Sequence, residues 1–561
     1  MKLLIARMWA TPRFGGELAL ASVLINLLAL VSSVYSIHVM NRYLGQGVDA
    51  TLVTLTIGAA IAVIMEFWLR QARLRMAQLF CGGIEREYSG LAFTAFGTAR
   101  FQLFEQIPLG QRREALAGLV TIQQGINGGN LAAILDGPFA LLFIFALSLL
   151  SPILGLLALA VALVLTVLIF VIQRRMAEPA AEMVKHSART SGLAQFLAGG
   201  GETIRAFNCY SGLQRRWEEG QEDLSALRRL VQRHQNLVQQ LTQSATTVLT
   251  IGLFAVGARE VVAGDLNVGS LIGASILGTR ALASIGRVAQ LAEPLEKARH
   301  AIGQLDAMAK LPTERQQGSV PRTLKGEVQA VDLSFRFPGH PLPLFEGLNF
   351  TLQAGGVMAV VGGNGTGKTT FAKLLTGLLE PDRGHLKVDG MDLRHLVPEW
   401  WRQQLVYLPQ EPIFFDGTVR ENLTVLAPDM DDATLLDLCN GLDLGGFLDS
   451  SPDGLDMPLR GGGSTLPLGI RRRFALVRGL AGGGRVVILD EPTEGVDAQG
   501  CQAIARQLNE MVRRGCTVIA MTKDDFIIRA AQMVLDLNQK PTPRLVTAPA
   551  GAPAEMAPEH A

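Results

Sequence analysis

Cysteine is scarce and scattered in this chain. Its 561 residues hold five, Cys81, Cys209, Cys439, Cys501 and Cys516, and no two form a CxxC pair. That pattern argues against a disulfide framework or a zinc site and fits free thiols in a reducing compartment. Charge is also sparse. Asp, Glu, Lys and Arg make up 18%, against about a quarter in an ordinary soluble domain, so part of the chain is suited to lipid. Neither sign dominates: the net charge is +1, which gives no global pull toward nucleic acid. No tandem repeat is visible.

Apolar residues are abundant, at 48%, and the mean hydropathy is +0.27. The length calls for at least two domains. All the long apolar runs lie in the first half: residues 18–39, 51–69, 138–150, 153–172, 244–263 and 268–285. A bilayer core takes about 20 apolar helical residues, so these runs predict six spans. The third is short and is expected to begin nearer Leu131. Lys2, Arg7 and Arg13 ahead of the first run resemble a signal peptide. The run exceeds a signal's apolar region and more spans follow, so it reads as a retained first span.

Very short links join the spans in pairs, at 41–50, 151–152 and 264–267. Two long stretches expected to be helical, 70–130 and 173–243, lie between the pairs. The short links hold Arg42 as their one basic residue. The long stretches carry Arg70, Arg73, Arg75, Arg112, Arg113, Arg174, Arg175, Lys185 and Arg189. The positive-inside rule therefore places the N-terminus and both long stretches in the cytoplasm. The expected organisation is a transmembrane domain over 1–310, a polar linker over 311–325, an α/β domain over 326–540, and a Pro- and Ala-rich disordered tail over 541–561.

The strongest motif is Gly362-Gly363-Asn364-Gly365-Thr366-Gly367-Lys368-Thr369, which fits GxxxxGK[ST]. It follows an apolar run, 357–361, and opens a helical pattern that includes Thr370. That is the setting a phosphate-binding loop needs. Glycines let backbone N–H groups turn toward phosphate oxygens, and a helix N-terminus adds partial positive charge. Lys368 has the reach for the outer phosphates, and Thr369 can ligate Mg²⁺. A second apolar run, 486–489, ends in Asp490-Glu491. Asp490 suits Mg²⁺ through water, and Glu491 suits the attacking water of hydrolysis. An isolated strand-end acid pair is commonly only that; the phosphate loop is what gives this pair its meaning.

At these residues the chain resembles the ABC transporter superfamily. The resemblance implies ATP and Mg²⁺ as cofactors and assigns further positions. Phe337, in Ser334-Phe335-Arg336-Phe337-Pro338, matches the aromatic that stacks on adenine. Gln410, in Tyr407-Leu408-Pro409-Gln410, matches the Q-loop glutamine, a metal-side and catalytic position. Asp497 matches the D-loop aspartate. Within the superfamily the first half resembles type I secretion exporters, on Leu24-Ile25-Asn26-Leu27-Leu28, Leu135-Asp136-Gly137-Pro138-Phe139-Ala140-Leu141-Leu142, Gly201-Glu202-Thr203-Ile204-Arg205-Ala206-Phe207 and Gly269-Ser270-Leu271-Ile272-Gly273-Ala274-Ser275. The resemblance implies an all-α six-helix transmembrane exporter domain followed by an α/β ATP-binding cassette. It also implies a multi-pass inner-membrane protein with a cytoplasmic cassette, and a second half-transporter as partner, identical or not. A periplasmic adaptor and an outer-membrane channel are further expected partners. Some members carry an N-terminal peptidase domain, and fewer than about twenty residues precede the first span here, too few for a domain.

Two motifs depart from the family pattern. The signature Leu-Ser-Gly-Gly-Gln is replaced by Leu466-Pro467-Leu468-Gly469-Ile470, followed by Arg471-Arg472-Arg473. The family's signature presents a hydroxyl and backbone N–H groups to the ATP of the opposite subunit. Pro467 has neither group, Leu468 adds bulk, and Gly469 alone remains. The switch histidine is replaced by Lys523, a donor that cannot accept. The D-loop is also altered, to Glu494-Gly495-Val496-Asp497. Two readings follow: an exporter of a peptide or protein substrate, or a degenerate regulatory half with weak ATPase activity in a heterodimer. A non-peptide substrate is a further alternative. The six spans argue against a cassette ATPase working on DNA or ribosomes. Within the spans, Glu66 and Arg280 pair with each other or line a polar path, or Arg280 snorkels; Arg287 fits snorkelling.

Overall fold

The structure is a computed structural model that describes residues 7, 8, 10–44, 49–547 and 556. It divides into two compact units, Met1–Ala99 with Phe104–Leu311, and Arg100–Leu103 with Pro312–Ala561.

Among the described residues of the first unit six helices are long and apolar enough to cross a membrane: Pro12–Tyr43, Asp49–Thr98, Gly128–Leu150, Pro152–Met176, Tyr210–Ala263 and Val268–Ala309. Each contains one of the six apolar runs. The third is longer than its run because Gly128–Asp136 leads into Phe139–Leu150. Their boundaries follow local chemistry. Ser151 accepts from the Leu154 backbone N–H and Pro152 opens the fourth helix, a proline placement that forfeits no helical bond. Gly264, at φ +87°, ends the fifth. The long stretches are not continuous helices. The first breaks between Thr98 and Phe101, and again around Pro108 and Asn127; the second breaks at Gly200 and Cys209.

Helix packing leaves two apolar clusters in this unit. One is built on Phe143, Leu147, Leu154, Leu249, Leu253 and Leu277. The other is built on Leu18, Ala77, Ile84, Ile122, Ala298 and Leu305. Small residues allow the close approaches: a Cβ on Gly273 would stand 2.5 Å from the Ile37 side chain, as membrane helix interfaces favour. Between the clusters' helices lies a buried polar knot. Arg73 donates to both oxygens of Asp136 at 2.5 and 3.2 Å and to Ser22 Oγ at 3.0 Å. Asn26 donates to the same carboxylate at 3.1 Å.

The charge pair considered from the sequence does not form. Glu66 accepts from Arg70, at 2.9 Å from Nε, and Arg280 donates to Ser32 at 3.0 Å. The i,i+4 spacing on one helix gives Arg70 first access to the Glu66 carboxylate. Arg287 reaches Ser284 on its own helix at 3.4 Å.

Among its described residues the second unit holds twelve strands: β1 Val328–Phe335, β2 Phe345–Leu352, β3 Val357–Val361, β4 Arg383–Val388, β5 Met391–Asp392, β6 Leu405–Leu408, β7 Gly417–Thr418, β8 Pro458–Leu459, β9 Val486–Asp490, β10 Thr517–Met521, β11 Met533–Asp536 and β12 Arg544–Thr547. An antiparallel sheet runs β2-β1-β4-β5, and a six-stranded sheet runs β12-β11-β3-β10-β9-β6. The core strands β3, β9 and β10 are apolar almost throughout and buried on both faces, which is the sequence signature of parallel strands covered by helices. Their register is in step: Val360 pairs with Met521, Met521 with Asp490, and Leu408 with Leu489. Four strands therefore deliver their carboxyl ends to one edge, where open α/β sheets bind ligands.

The tail expected to be disordered from residue 541 begins instead with β12, paired antiparallel to β11. Pro and Ala content hid a short strand whose backbone completes the sheet edge. Met556 is buried and exchanges two hydrogen bonds with the Asn509 amide; 548–555 and 557–561 lie outside the described residues.

Removing one member of the buried knot leaves an uncompensated charge. Arg73→Ala is expected to cost about 3–5 kcal/mol, read as a lower melting temperature of the detergent-purified protein. Unchanged melting would show that the pair does not hold these helices.

Candidate functional site

The phosphate loop sits between β3 and the helix Lys368–Leu375. Gly367 caps that helix at φ +110°, and a Cβ there would lie 2.6 Å from Leu344. Gly365 is also left-handed, at φ +77°. Non-glycine residues rarely adopt such angles, so the loop's curvature requires these glycines. Gly362 lies against Thr366, whose hydroxyl donates to Gly363 O at 2.9 Å. Thr370 is buried in the first turn of the helix.

Lys368 is folded back over its own loop. Its ammonium donates to Gly362 O at 2.7 Å and Gly363 O at 3.2 Å, and lies 3.2 Å from Glu491 Oε1. Thr369 donates to Gln410 Oε1 at 3.1 Å. Lys523 Nζ donates to Asn364 Oδ1 at 2.9 Å. Thus β3, β6, β9 and β10 bring Lys368, Gln410, Glu491 and Lys523 together around one loop.

Asp490 ends β9 fully buried, and neither carboxylate oxygen has a hydrogen-bond partner. Burial pushes its carboxyl above the ordinary range, against the nearby Thr369 hydroxyl and with Glu491 adding to the rise. A buried carboxylate without a partner is costly, and it asks for a cation. Thr369 hydroxyl, Gln410 amide oxygen and Asp490 carboxylate are oxygen donors of the kind a hard divalent ion takes beside phosphates. Glu491 follows at φ +51°, a conformation that costs a non-glycine residue energy and concentrates at functional sites. Its N–H is held by Met521 O at 2.8 Å.

Phe337 is half exposed, and its ring meets Phe335 edge-on at 5.1 Å. It lines an open cleft of about 580 Å³ with Arg336, His340 and Asp382. The same loop returns through Leu344, which touches Gly367. Gly469 is placed differently. It lies in the first turn of the helix Leu468–Ala481, whose N-cap is Pro467 with no side-chain cap, and a Cβ on it would meet Gly495 O at 2.7 Å. It is not among the contacts of the phosphate loop.

Two residues escaped the sequence reading. Asn538, in the turn after β11, accepts from Gly363 N–H at 2.9 Å; nothing in its polar surroundings marks it. Arg472 is almost fully buried and donates to Gln410 O at 3.1 Å and Glu494 Oε2 at 2.8 Å. In the sequence it stands inside an arginine triplet, which gives it no distinguishing mark.

Two family models match this chain. The ABC transporter transmembrane region covers residues 17–278 and the ABC transporter model covers 345–494. The chain belongs to the ABC transporter superfamily, with an exporter's transmembrane region and ATP-binding cassette in one polypeptide. Among curated relatives it is 27% identical over 529 residues to the type I secretion system ATP-binding protein PrsD of Rhizobium meliloti (strain 1021), covering 92% of this chain and 89% of that one. It is 26% identical to the exotoxin translocation ATP-binding protein PaxB of Pasteurella aerogenes, covering 93% and 74%. It is 25% identical to the leukotoxin translocation ATP-binding protein LktB of Mannheimia haemolytica, again covering 93% and 74%. A solved bacterial Atm1-family ABC exporter with ATP bound shares the fold, with a TM-score of 0.80 over 95% of this chain and 96% of that one, at 17% identity.

Lys368→Ala removes the ammonium folded over the loop's own carbonyls. It is expected to abolish tight ATP binding, measured with a fluorescent nucleotide; wild-type affinity in the variant would remove the assignment.

Proposed function

We propose that the chain is one half of a dimeric exporter that uses ATP to move a peptide or protein outward across the inner membrane, in the manner of type I secretion. The observation that carries this reading is the extent of the similarity: relatives named for secretion and toxin translocation match through both units, over 92–93% of the chain. The basic residues of the N-terminus and the two long stretches support a cytoplasmic cassette. A second half-transporter completes each nucleotide site, and an adaptor and outer-membrane channel extend the path.

In this reading the N–H groups of 365–369 hold the ATP phosphates and Phe337 packs on adenine. Lys368 turns from Glu491 to the outer phosphates. Thr369, Gln410 and Asp490 would hold Mg²⁺, which would neutralise phosphate charge. Glu491, released from Lys368, orients the attacking water and accepts its proton. Lys523 donates toward the γ-phosphate where the family has histidine. Gly469 presents backbone to the partner's ATP.

One specific observation favours the second reading, a half with weak turnover. The helix Leu468–Ala481 opens on Pro467 without an N–H or a capping side chain, where the family supplies both to the opposing nucleotide. Each lost charge-assisted bond is expected to cost about 1.5–3 kcal/mol.

The two readings separate in steady-state ATPase in lipid nanodiscs. Glu491→Gln is expected to keep ATP binding and lose roughly 10²-fold or more in turnover; equal turnover would mean that hydrolysis bypasses this carboxylate. Pro467→Ser with Leu468→Gly, alone and with Lys523→His, is expected to raise turnover if the signature limits it. A brisk wild type that none of these changes improves would reject the weak-turnover reading.

A further inference from the structure

The altered signature helix and the altered D-loop meet each other inside one cassette. Arg472 lies on the helix Leu468–Ala481 with its side chain 1% exposed. Its guanidinium reaches three acceptors on two loops: Gln410 O at 3.1 Å, Glu494 Oε2 at 2.8 Å, and Glu494 O. The neighbouring pair is steric. Gly495 sits at φ +73°, and a Cβ on it would stand 3.2 Å from Leu468 Cδ2. Bulk on the helix is met by absence of bulk on the loop, and a buried cation is met by a carboxylate.

Both loops held by Arg472 lead straight to the reacting edge. Gln410, held through its carbonyl, accepts from Thr369 through its side chain at 3.1 Å. Glu494 lies three residues after Glu491 in one turn, closed by Glu494 N–H donating to Glu491 O at 3.4 Å. Glu491 in turn faces Lys368 at 3.2 Å. Arg473, next along the helix, lies 3.7 Å from Asp497 at the far end of the same turn. One buried guanidinium therefore holds the loops that follow β6 and β9.

We infer that Arg472 and Glu494 form a positioning pair that sets the Q-loop and D-loop against the phosphate loop from within the same chain. Arg472 acts through Gln410 and Glu491 and does not itself touch the nucleotide. The Arg472 hydrogen bond holds the Glu494 carboxyl below its ordinary range, so the pair stays charged at neutral pH. This rests on the hydrolytic reading above for its rate readout, and on Mg²⁺-dependent ATP binding for an independent one.

The pair is lopsided, with Arg472 buried and the Glu494 side chain 60% exposed, and it predicts non-additivity. Losing the carboxylate leaves the buried cation only its two backbone carbonyl partners, whereas removing both charges leaves no buried charge. The test uses the full chain in nanodiscs, as wild type, Glu494→Gln, Arg472→Gln and the double variant, with melting temperature and ATP affinity recorded for each. Glu494→Gln is expected to lower kcat roughly 10- to 100-fold through misplacement of Glu491, with KM for ATP nearly unchanged. The double variant is expected to recover to within about 3-fold of wild type, a coupling of adjacent groups. In binding, Glu494→Gln is expected to raise the Mg²⁺ concentration needed for half-maximal ATP affinity, and the double variant to restore it.

Wild-type kcat and Mg²⁺ dependence in Glu494→Gln would overturn the proposal. So would a double variant no better than the worse single one while still melting as wild type. If the wild type itself shows no ATPase, the hydrolytic reading fails, and the Mg²⁺ titration alone decides the pair. A general loss of melting temperature in Glu494→Gln that follows kcat and is not repaired in the double variant would mark Arg472 as merely structural and would reject positioning.

Discussion

The cassette is organised around a carboxylate buried at a strand end without a partner. Asp490 has no hydrogen bond to either oxygen and no exposure. In an interior of low dielectric such a group destabilises the fold unless a cation joins it. The surroundings are arranged for that cation. Thr369 and Gln410 bring neutral oxygens to the same edge, and Lys368 with the loop's N–H groups brings positive potential for phosphates. The parallel register of β3, β9 and β10 makes this convergence possible, because three in-step strands end together. The strained Glu491 and the folded-back Lys368 belong to the same bargain between local cost and ligand stabilisation.

Much of this was legible in the sequence, for physical reasons that can be named. The phosphate loop announces itself because glycine spacing, a preceding apolar strand and a following helix are all required together. The six spans announce themselves because lipid demands long uninterrupted apolar runs. Other features were illegible. Lys523 meeting Asn364 and Asn538 meeting Gly363 depend on loops brought together by tertiary packing, the partners standing 159 and 175 positions apart in the sequence. Of the alternatives the sequence offers for Glu66 and Arg280, their pairing does not form: the i,i+4 neighbour Arg70 holds the Glu66 carboxylate, a local contact that the prominence of Arg280 in an apolar run conceals. The strand Arg544–Thr547 was missed because composition, averaged over a Pro- and Ala-rich tail, hides four residues of edge pairing.

The departures from the family pattern are coherent with one another. Pro467, Leu468, Arg472, Glu494 and Gly495 are not scattered losses. Leu468 packs where Gly495 leaves room, and Arg472 is neutralised by Glu494. A sequence comparison read motif by motif sees a broken signature. In the structure the helix and the loop fit each other, Arg472 against Glu494 and Leu468 against Gly495, while the helix start at Pro467 has no side-chain cap.

The account stands or falls on Asp490 as the buried acceptor of the nucleotide's metal. The direct measurement is calorimetric ATP binding across a Mg²⁺ titration, for wild type and Asp490→Asn side by side. Wild-type affinity is expected to rise with Mg²⁺, and the variant to lose about 10- to 100-fold of that gain, the usual scale for a disturbed metal shell, while melting at or above the wild-type temperature without ligand. Equal Mg²⁺ dependence in the two proteins, or an Asp490→Asn variant that is less stable in the absence of nucleotide, would contradict the account.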